Sequence, residues 1–320
     1  MTAVVTVGES MVLVDAPASG RFGAALPVGI GGAESNVAIG LARLGVDCAW
    51  VSRVGDDALG TFMAREIRAE GVRVVATRDP AAPTGLMVKE HRGGRPSRVR
   101  YYRAGSAASR LSPADVDAVA DEIAAADVLH VTGITAALGA APLTAVERAI
   151  EVARAAGTTV SFDVNHRATL WPDAVAAPVL ARLAAAADLV FAGPEEAALV
   201  LGRPPAPPSF EEGELLAREL AKRGPGAVVV KLGALGALAL SGDQVHEASA
   251  LPVEVVDPVG AGDAFVAGYL SELVAGGSVP DALRTANGCG ATVCRAPGDW
   301  EGLPTRAELD ELSDDHEVVR

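Results

Sequence analysis

The feature that most constrains the fold of this chain is a repeated alternation, in which short apolar runs are each followed by a stretch whose apolar residues recur at helical spacing. Ala3 to Val7 reads as a buried strand, and Ser35 to Leu44 as an amphipathic helix stopped by Gly45. The pattern returns as Ala49 to Val54 with Leu59 to Ala69, Val128 to Val131 with Leu143 to Ala156, and Thr159 to Asp163 with Ala174 to Ala187. Leu189 to Ala192 with Glu195 to Leu201 follows, then Val228 to Lys231 with a hairpin. A strand that is apolar on both faces needs helices on both faces, so the expectation is an α/β fold with a central, mostly parallel sheet flanked by helices. Half of the residues are hydrophobic and only 4% aromatic, the excess being Ala, Val and Leu, which suits layered packing. A length of 320 residues fits one large α/β domain spanning residues 1–320.

Two segments break the rhythm. Val12 to Gly29 is rich in Gly, Pro and Ala, and Gly85 to Arg103 alternates apolar and polar residues as short strands do. Together they predict one small β-sheet lid, built from residues of about 10–30 and 85–105, over the carboxyl ends of the main strands where such sheets bind ligands. The exposed edges of such a lid invite pairing between subunits, so a homo-oligomer is expected. Gly202 to Pro208 reads as a Pro-rich surface loop and Asp310 to Arg320 as a charged, frayed tail.

A net charge of −14 opposes nucleic-acid or anionic-membrane partners, so any anionic ligand must be held by local groups. Met1 to Gly8 lacks a basic region followed by an apolar signal core, and no apolar run is long enough to span a bilayer, so a cytoplasmic location is expected. Cys48, Cys289 and Cys294 lack metal-ligand spacing and read as reduced thiols. None of the three lysines follows a glycine, which excludes the Walker phosphate loop.

The strongest chemical signal is Asp257-Pro258-Val259-Gly260-Ala261-Gly262-Asp263-Ala264-Phe265, which leads into a helical pattern through Ala275. Small residues at a helix start expose backbone NH groups at the positive end of the helix dipole, a site for phosphate oxygens. Asp263 could cap that helix. It could equally be the base of a phosphoryl transfer, taking the acceptor's proton while the NH groups of Gly260, Ala261 and Gly262 take up charge. A second signal, Gly31-Gly32-Ala33-Glu34-Ser35-Asn36, permits close backbone approach and supplies an amide that can both donate and accept, or alternatively forms a capped turn.

On these two segments the chain resembles, over nearly its whole length, the ribokinase or phosphofructokinase-B family of carbohydrate kinases. Tyr101 to Ser109, Asp163-Val164-Asn165-His166-Arg167 with Leu170-Trp171, and Gly298-Asp299-Trp300-Glu301-Gly302 are similar to the branch that phosphorylates 2-keto-3-deoxygluconate. The resemblance implies a ribokinase-like fold, ATP and Mg²⁺ as cofactors, and a small sugar acid as substrate. It places Gly32, Ala33, Glu34, Ser35, Asn36, Tyr101, Tyr102, Arg103, Arg167, Asp263 and Asp299 around the sugar. Arg103 and Arg167 offer forked guanidinium groups suited to a carboxylate, although an arginine can also serve in a surface ion pair. On the nucleotide side it places Asn165, Lys231, Leu232, Gly233, Ala234, Leu235, Gly236 and Asn287, together with Gly260 to Asp263; Lys231 alone could equally snorkel from a strand end.

Two departures stand out. Gly193 replaces an asparagine in the motif that organises Mg²⁺ through water, leaving Glu196 as its retained, indirect member, and Met87 stands where close relatives often have a tyrosine. Some family members have a potassium-type cation near the position of Asp257, which this sequence leaves open. Kinases of 2-keto-3-deoxygalactonate, fructose, ribose or nucleosides are the alternatives within the same chemistry.

Overall fold

The computed structural model describes residues 2–17, 25–92 and 95–311. In chain order its strands are β1 (Val4–Val7), β2 (Met11–Pro17), β3 (Val28–Gly31), β4 (Cys48–Gly55), β5 (Arg73–Asp79), β6 (Leu86–Arg92) and β7 (Arg95–Tyr102). They continue as β8 (Val128–Thr132), β9 (Thr159–Asp163), β10 (Leu189–Ala192), β11 (Ala227–Lys231), β12 (Gly236–Ser241) and β13 (Gln244–Ser249). The helices are α1 (Ala33–Arg43), α2 (Ala58–Ala69), α3 (Pro113–Asp117), α4 (Ala120–Ala125), α5 (Gly133–Ala136) and α6 (Ala140–Ala156). After these come α7 (Asp173–Ala186), α8 (Pro194–Leu201), α9 (Phe210–Ala221), α10 (Ala261–Val274) and α11 (Val279–Val293).

The main sheet has the order β13-β12-β11-β10-β9-β8-β1-β4-β5. All its neighbours are parallel except β11-β12 and β12-β13, the expected hairpin. From β1 the chain winds one way through β4 to β5 and the other way from β8 to β11, so the topological switch lies between β1 and β8. A crevice opens at the carboxyl ends of strands at such a point, which is where ligands enter open α/β sheets.

The predicted lid is present as a second sheet of order β3-β2-β6-β7, in which β2 and β6 are parallel and the other pairs antiparallel. Elements that the sequence pattern was not used to name are β5, partly or largely exposed at the sheet edge, and the helices α3, α4, α5, α9 and α11, although Ser209 and Ser278 cap the starts of α9 and α11. The loop at Gly202–Pro208 is irregular as expected, residues 306–311 are helical, and the rest of the predicted tail lies outside the described residues. No helix among the described residues is long and apolar enough to cross a membrane.

Helices cover both faces of the main sheet. One core gathers Val5, Leu129, Phe162 and Val190 with α6, α7 and α9; the other gathers Trp50, Phe191 and Val229 with α1, α10 and α11. In the second, the Phe191 ring on β10 meets Phe265 and Tyr269 of α10 edge-on at 6.5 and 5.3 Å. Because Phe265 is two residues from Asp263, this packing fixes where the start of α10 sits. Phe191→Ala is expected to cost about 3 to 5 kcal/mol of stability, read as a lower urea midpoint at unchanged slope.

Candidate active site

The site begins with the loop that launches α10. Asp257 accepts from the Val259 amide (3.1 Å), and Gly260 adopts a left-handed conformation (φ 79°) as the residue before the helix. A Cβ at Gly260 would overlap the carbonyl oxygen of Asp299, so this loop closes only around glycine. Asp263 lies in the first turn of α10 but makes no capping hydrogen bond. Its Oδ2 accepts from Asn36 Nδ2 at 2.8 Å, and Asn165 Nδ2 lies 3.5 Å from Oδ1. Its hydrogen bonds among the described residues thus go to other elements and not to the amides of its own helix start.

Asn165 reaches this position from a left-handed backbone (φ 39°), the one such non-glycine conformation among the described residues. Burial pushes the Asp263 carboxyl up from its ordinary 3.8 to about 6. The Asn36 hydrogen bond and the charges of Arg167 and Lys231 pull it down, while Asp163 pushes it further up. A carboxylate poised there is basic enough to accept a hydroxyl proton and still ionised at neutral pH.

One pocket opens beneath the small sheet, lined by Glu9, Gly31, Gly32, Ala33, Asn36, Met87, Tyr101, Arg103, Arg167, Gly260, Asp263 and Asp299. A second opens beside it over the ends of β9, β10 and β11, lined by His166, Arg167, Gly193, Glu195, Glu196, Lys231, Leu232 and Gly233. Arg167 belongs to both, and among the described residues its guanidinium bonds only the carbonyl of His166 (3.1 Å). Lys231 is gripped by both oxygens of Asp163 (2.8 and 2.7 Å), and the Gly262 Cβ position is 3.8 Å from its Nζ, which sets the ammonium at the start of α10.

The model of the pfkB family of carbohydrate kinases matches residues 1–306. The chain belongs to that family. It is 41% identical to a 2-dehydro-3-deoxygluconokinase of Bacillus subtilis over 95% of this chain and 93% of that one. It is 38% identical to the enzyme of that name from Thermoproteus tenax, over 98% and 94%. The crystal structure of the Thermotoga maritima 2-dehydro-3-deoxygluconokinase superposes with a TM-score of 0.87 at 28% identity, covering 98% of this chain and 100% of that one. A Vibrio cholerae fructokinase double mutant, solved with fructose, ADP and a potassium ion, gives 0.82 at 28% identity, covering 97% and 98%.

Several residues expected in this kinase's site stand elsewhere. Glu34 does not reach the pocket: its side chain turns into the crevice between the ends of β1 and β8, where Gly8 leaves room, and accepts from Thr132 and Thr135 at 2.7 Å each. Burial pushes its carboxyl up to about 7, so the group below Asp263 is only partly ionised at neutral pH. Ser35 is likewise buried, bonded to Ser10 and to the Gly32 carbonyl. Tyr102 is 61% exposed, because strand alternation turns it away from the face that Tyr101 presents to the pocket.

Ala234, Leu235 and Gly236 form the turn into β12 and line neither pocket, and Asn287 pins β13 by donating to the carbonyls of Ala248 and Ser249 (3.1 Å each). Arg103 is neither free nor on the surface: it pairs with Glu9, a fully buried carboxylate whose pKa burial raises. Glu196 spends both oxygens on backbone amides, of His166 (2.8 Å) and Gly193 (2.7 Å), so it closes the start of α8 from the pocket wall. Sequence reading missed Glu9, Asp163 as the partner of Lys231, and Lys89. Only Lys89 left a trace, two residues from Met87 on one strand face.

The cost of burying Asp263 is the basis of a stability test. Its folded pKa lies above the unfolded one, so the penalty is absent below about pH 3.8, grows as pH rises, and is complete above about pH 6. Each tenfold change in an ionisation constant is worth about 1.4 kcal/mol, so Asp263→Asn is expected to stabilise the fold by up to roughly 3 kcal/mol at pH 8 and to be neutral at pH 4. Thermal melts across that range check it. Asn36→Leu removes a hydrogen bond to the ionised carboxylate; the acidic limb of its pH–rate profile is expected to move to higher pH than in the unsubstituted kinase.

Proposed function

We propose that the chain phosphorylates 2-keto-3-deoxygluconate at its 6-hydroxyl, using ATP and giving 2-keto-3-deoxy-6-phosphogluconate and ADP. The observation that carries this reading is the buried Asp263 at the start of α10, in one pocket with two arginines and adjoining a second pocket that ends in Lys231. The likeness to enzymes named 2-dehydro-3-deoxygluconokinase supports the acceptor.

The sugar acid enters under the small sheet with its 6-hydroxyl at Asp263, held by Asn36, and Asp299 accepts a hydroxyl. Asp263 takes the hydroxyl proton as the acceptor oxygen bonds to the γ-phosphorus, and the bond from that phosphorus to the bridging oxygen of ADP breaks. The amides at Gly260, Ala261 and Gly262 and the ammonium of Lys231 receive the charge on the transferring group. Arg167, which lines both pockets, is offered to the substrate carboxylate on one side and faces the nucleotide pocket on the other.

No cluster of three or more His, Cys, Asp or Glu side chains suited to a metal occurs among the described residues, so Mg²⁺ fits as an ion carried by the nucleotide phosphates. Glu196 would order its waters from the wall of the second pocket. When bound, the ion neutralises phosphate charge.

The Glu9–Arg103 pair favours a second reading, a neutral sugar as acceptor, since one arginine fork is already engaged by a carboxylate. An ADP-release assay over a panel of sugar acids and neutral sugars separates the two. Turnover of fructose or ribose above that of the sugar acids would reject the first reading. With the sugar acid, Asp263→Asn is expected to lower kcat by about 10³-fold or more while ADP binding persists. Arg167→Met is expected to raise the sugar-acid KM at least about tenfold, the worth of one charge-assisted pair, and near-normal turnover by Asp263→Asn would remove the base assignment.

A further inference from the structure

Lys89 is the least expected ion in the molecule. It lies on β6 of the small sheet, two residues beyond Met87, and only 1% of its side chain is exposed. Its ammonium bonds Asp257 Oδ2 at 2.5 Å and Asp299 Oδ1 at 3.1 Å. Burial would discharge it, but the two carboxylates outweigh that and hold its pKa above the ordinary value.

These carboxylates belong to the two halves of the anion site. Asp257 opens the loop that ends in Gly260, and its other oxygen accepts from Val259 within the same loop. Asp299 lines the sugar pocket, and its backbone carbonyl packs against Gly260 so closely that only glycine fits. One ammonium thus ties the small sheet, the anion loop and a sugar-binding carboxylate together.

A potassium-type cation near Asp257 does not fit this arrangement. Of the two Asp257 oxygens, one is taken by Val259 and the other by an ammonium that already supplies the positive charge a buried carboxylate requires.

We propose that Lys89 is a positioning residue that stands in for a separate monovalent cation beneath the anion loop and, through Asp257 and Asp299, couples seating of the sugar to the placement of the Gly260–Gly262 amides. The inference rests on the phosphoryl-transfer reading above. It assigns Lys89 no contact with either substrate; its effect is exerted through the two carboxylates.

The test uses the full chain with sugar acid and MgATP, at constant ionic strength, in chloride salts of potassium, ammonium or tetramethylammonium. The unsubstituted kinase is expected to change less than about twofold in kcat among these salts, because its cation is covalently attached. Lys89→Met is expected to lose about 10²-fold in kcat, as a misplaced anion loop would, with a raised sugar KM and unchanged ADP affinity by calorimetry. Potassium or ammonium, small enough to enter the vacated space, should restore at least about tenfold of that loss and tetramethylammonium none. Lys89→Arg, which keeps the charge, should retain most activity and no salt response.

Strong potassium activation of the unsubstituted kinase overturns the proposal, and that measurement needs no variant. So does a folded Lys89→Met protein with normal kcat and KM, or one that binds ADP yet responds to no cation. An unsubstituted protein that turns over no member of the sugar panel overturns instead the functional reading on which this inference stands.

Discussion

The structure depends on one arrangement, a carboxylate held without a cationic partner in direct contact at the start of a helix, deep in the crevice where the main sheet reverses its winding. Asp263 keeps its charge there only because Asn36 donates to it and the dipole of α10 with the nearby charges of Lys231 and Arg167 offsets part of the cost of burial. Each support comes from a distant part of the chain: α1 after β3, the end of β11, the turn after β9 and the second core packed behind α10. Folding must assemble all of them before this carboxylate is held in place. A protein that keeps such a group forgoes stability to have it, as function-bearing sites commonly do.

The charge pattern around that centre is graded. Lys231 is fixed by Asp163, Arg103 by Glu9, and Lys89 by two carboxylates, whereas among the described residues Arg167 bonds only a backbone carbonyl. In a chain with net charge −14, the lysines and Arg103 around this centre are matched by carboxylates, which leaves Arg167 the least neutralised of these cations among the described residues. Glu34 completes the pattern from below: with its carboxyl pushed up to about 7 it is only partly ionised at neutral pH, and as an ordinary ionised glutamate it would repel Asp263 more.

Much of the fold was legible because each βα unit carries its own signal: an apolar run, a helical period and a stop such as Gly45 or Gly202. Of the elements that escaped, β5, α4 and α5 are edge or very short pieces with weak local signals, whereas α9 and α11 carry Ser209 and Ser278 as caps and were within reach of the same reasoning. The site was legible where a motif needs backbone geometry, as at Gly260, whose lack of a side chain is demanded by the Asp299 carbonyl. It was misread at Glu34, Ser35 and Tyr102, where adjacency in a motif was equated with facing the pocket. A helix start presents successive residues in different directions, and a strand alternates them.

By itself the sequence determined the layered α/β architecture, the small second sheet and the glycine-rich start of α10, because these rest on periodicity and on residue types that local backbone geometry requires. Only the tertiary structure decided which charges are spent. That Arg103 is matched by Glu9, Lys231 by Asp163 and Lys89 by Asp257 and Asp299 follows from pairings across 68 to 210 positions of chain, in which no residue's type reveals its partner. Electrostatic energy falls with distance through space, and distance along the sequence does not report it.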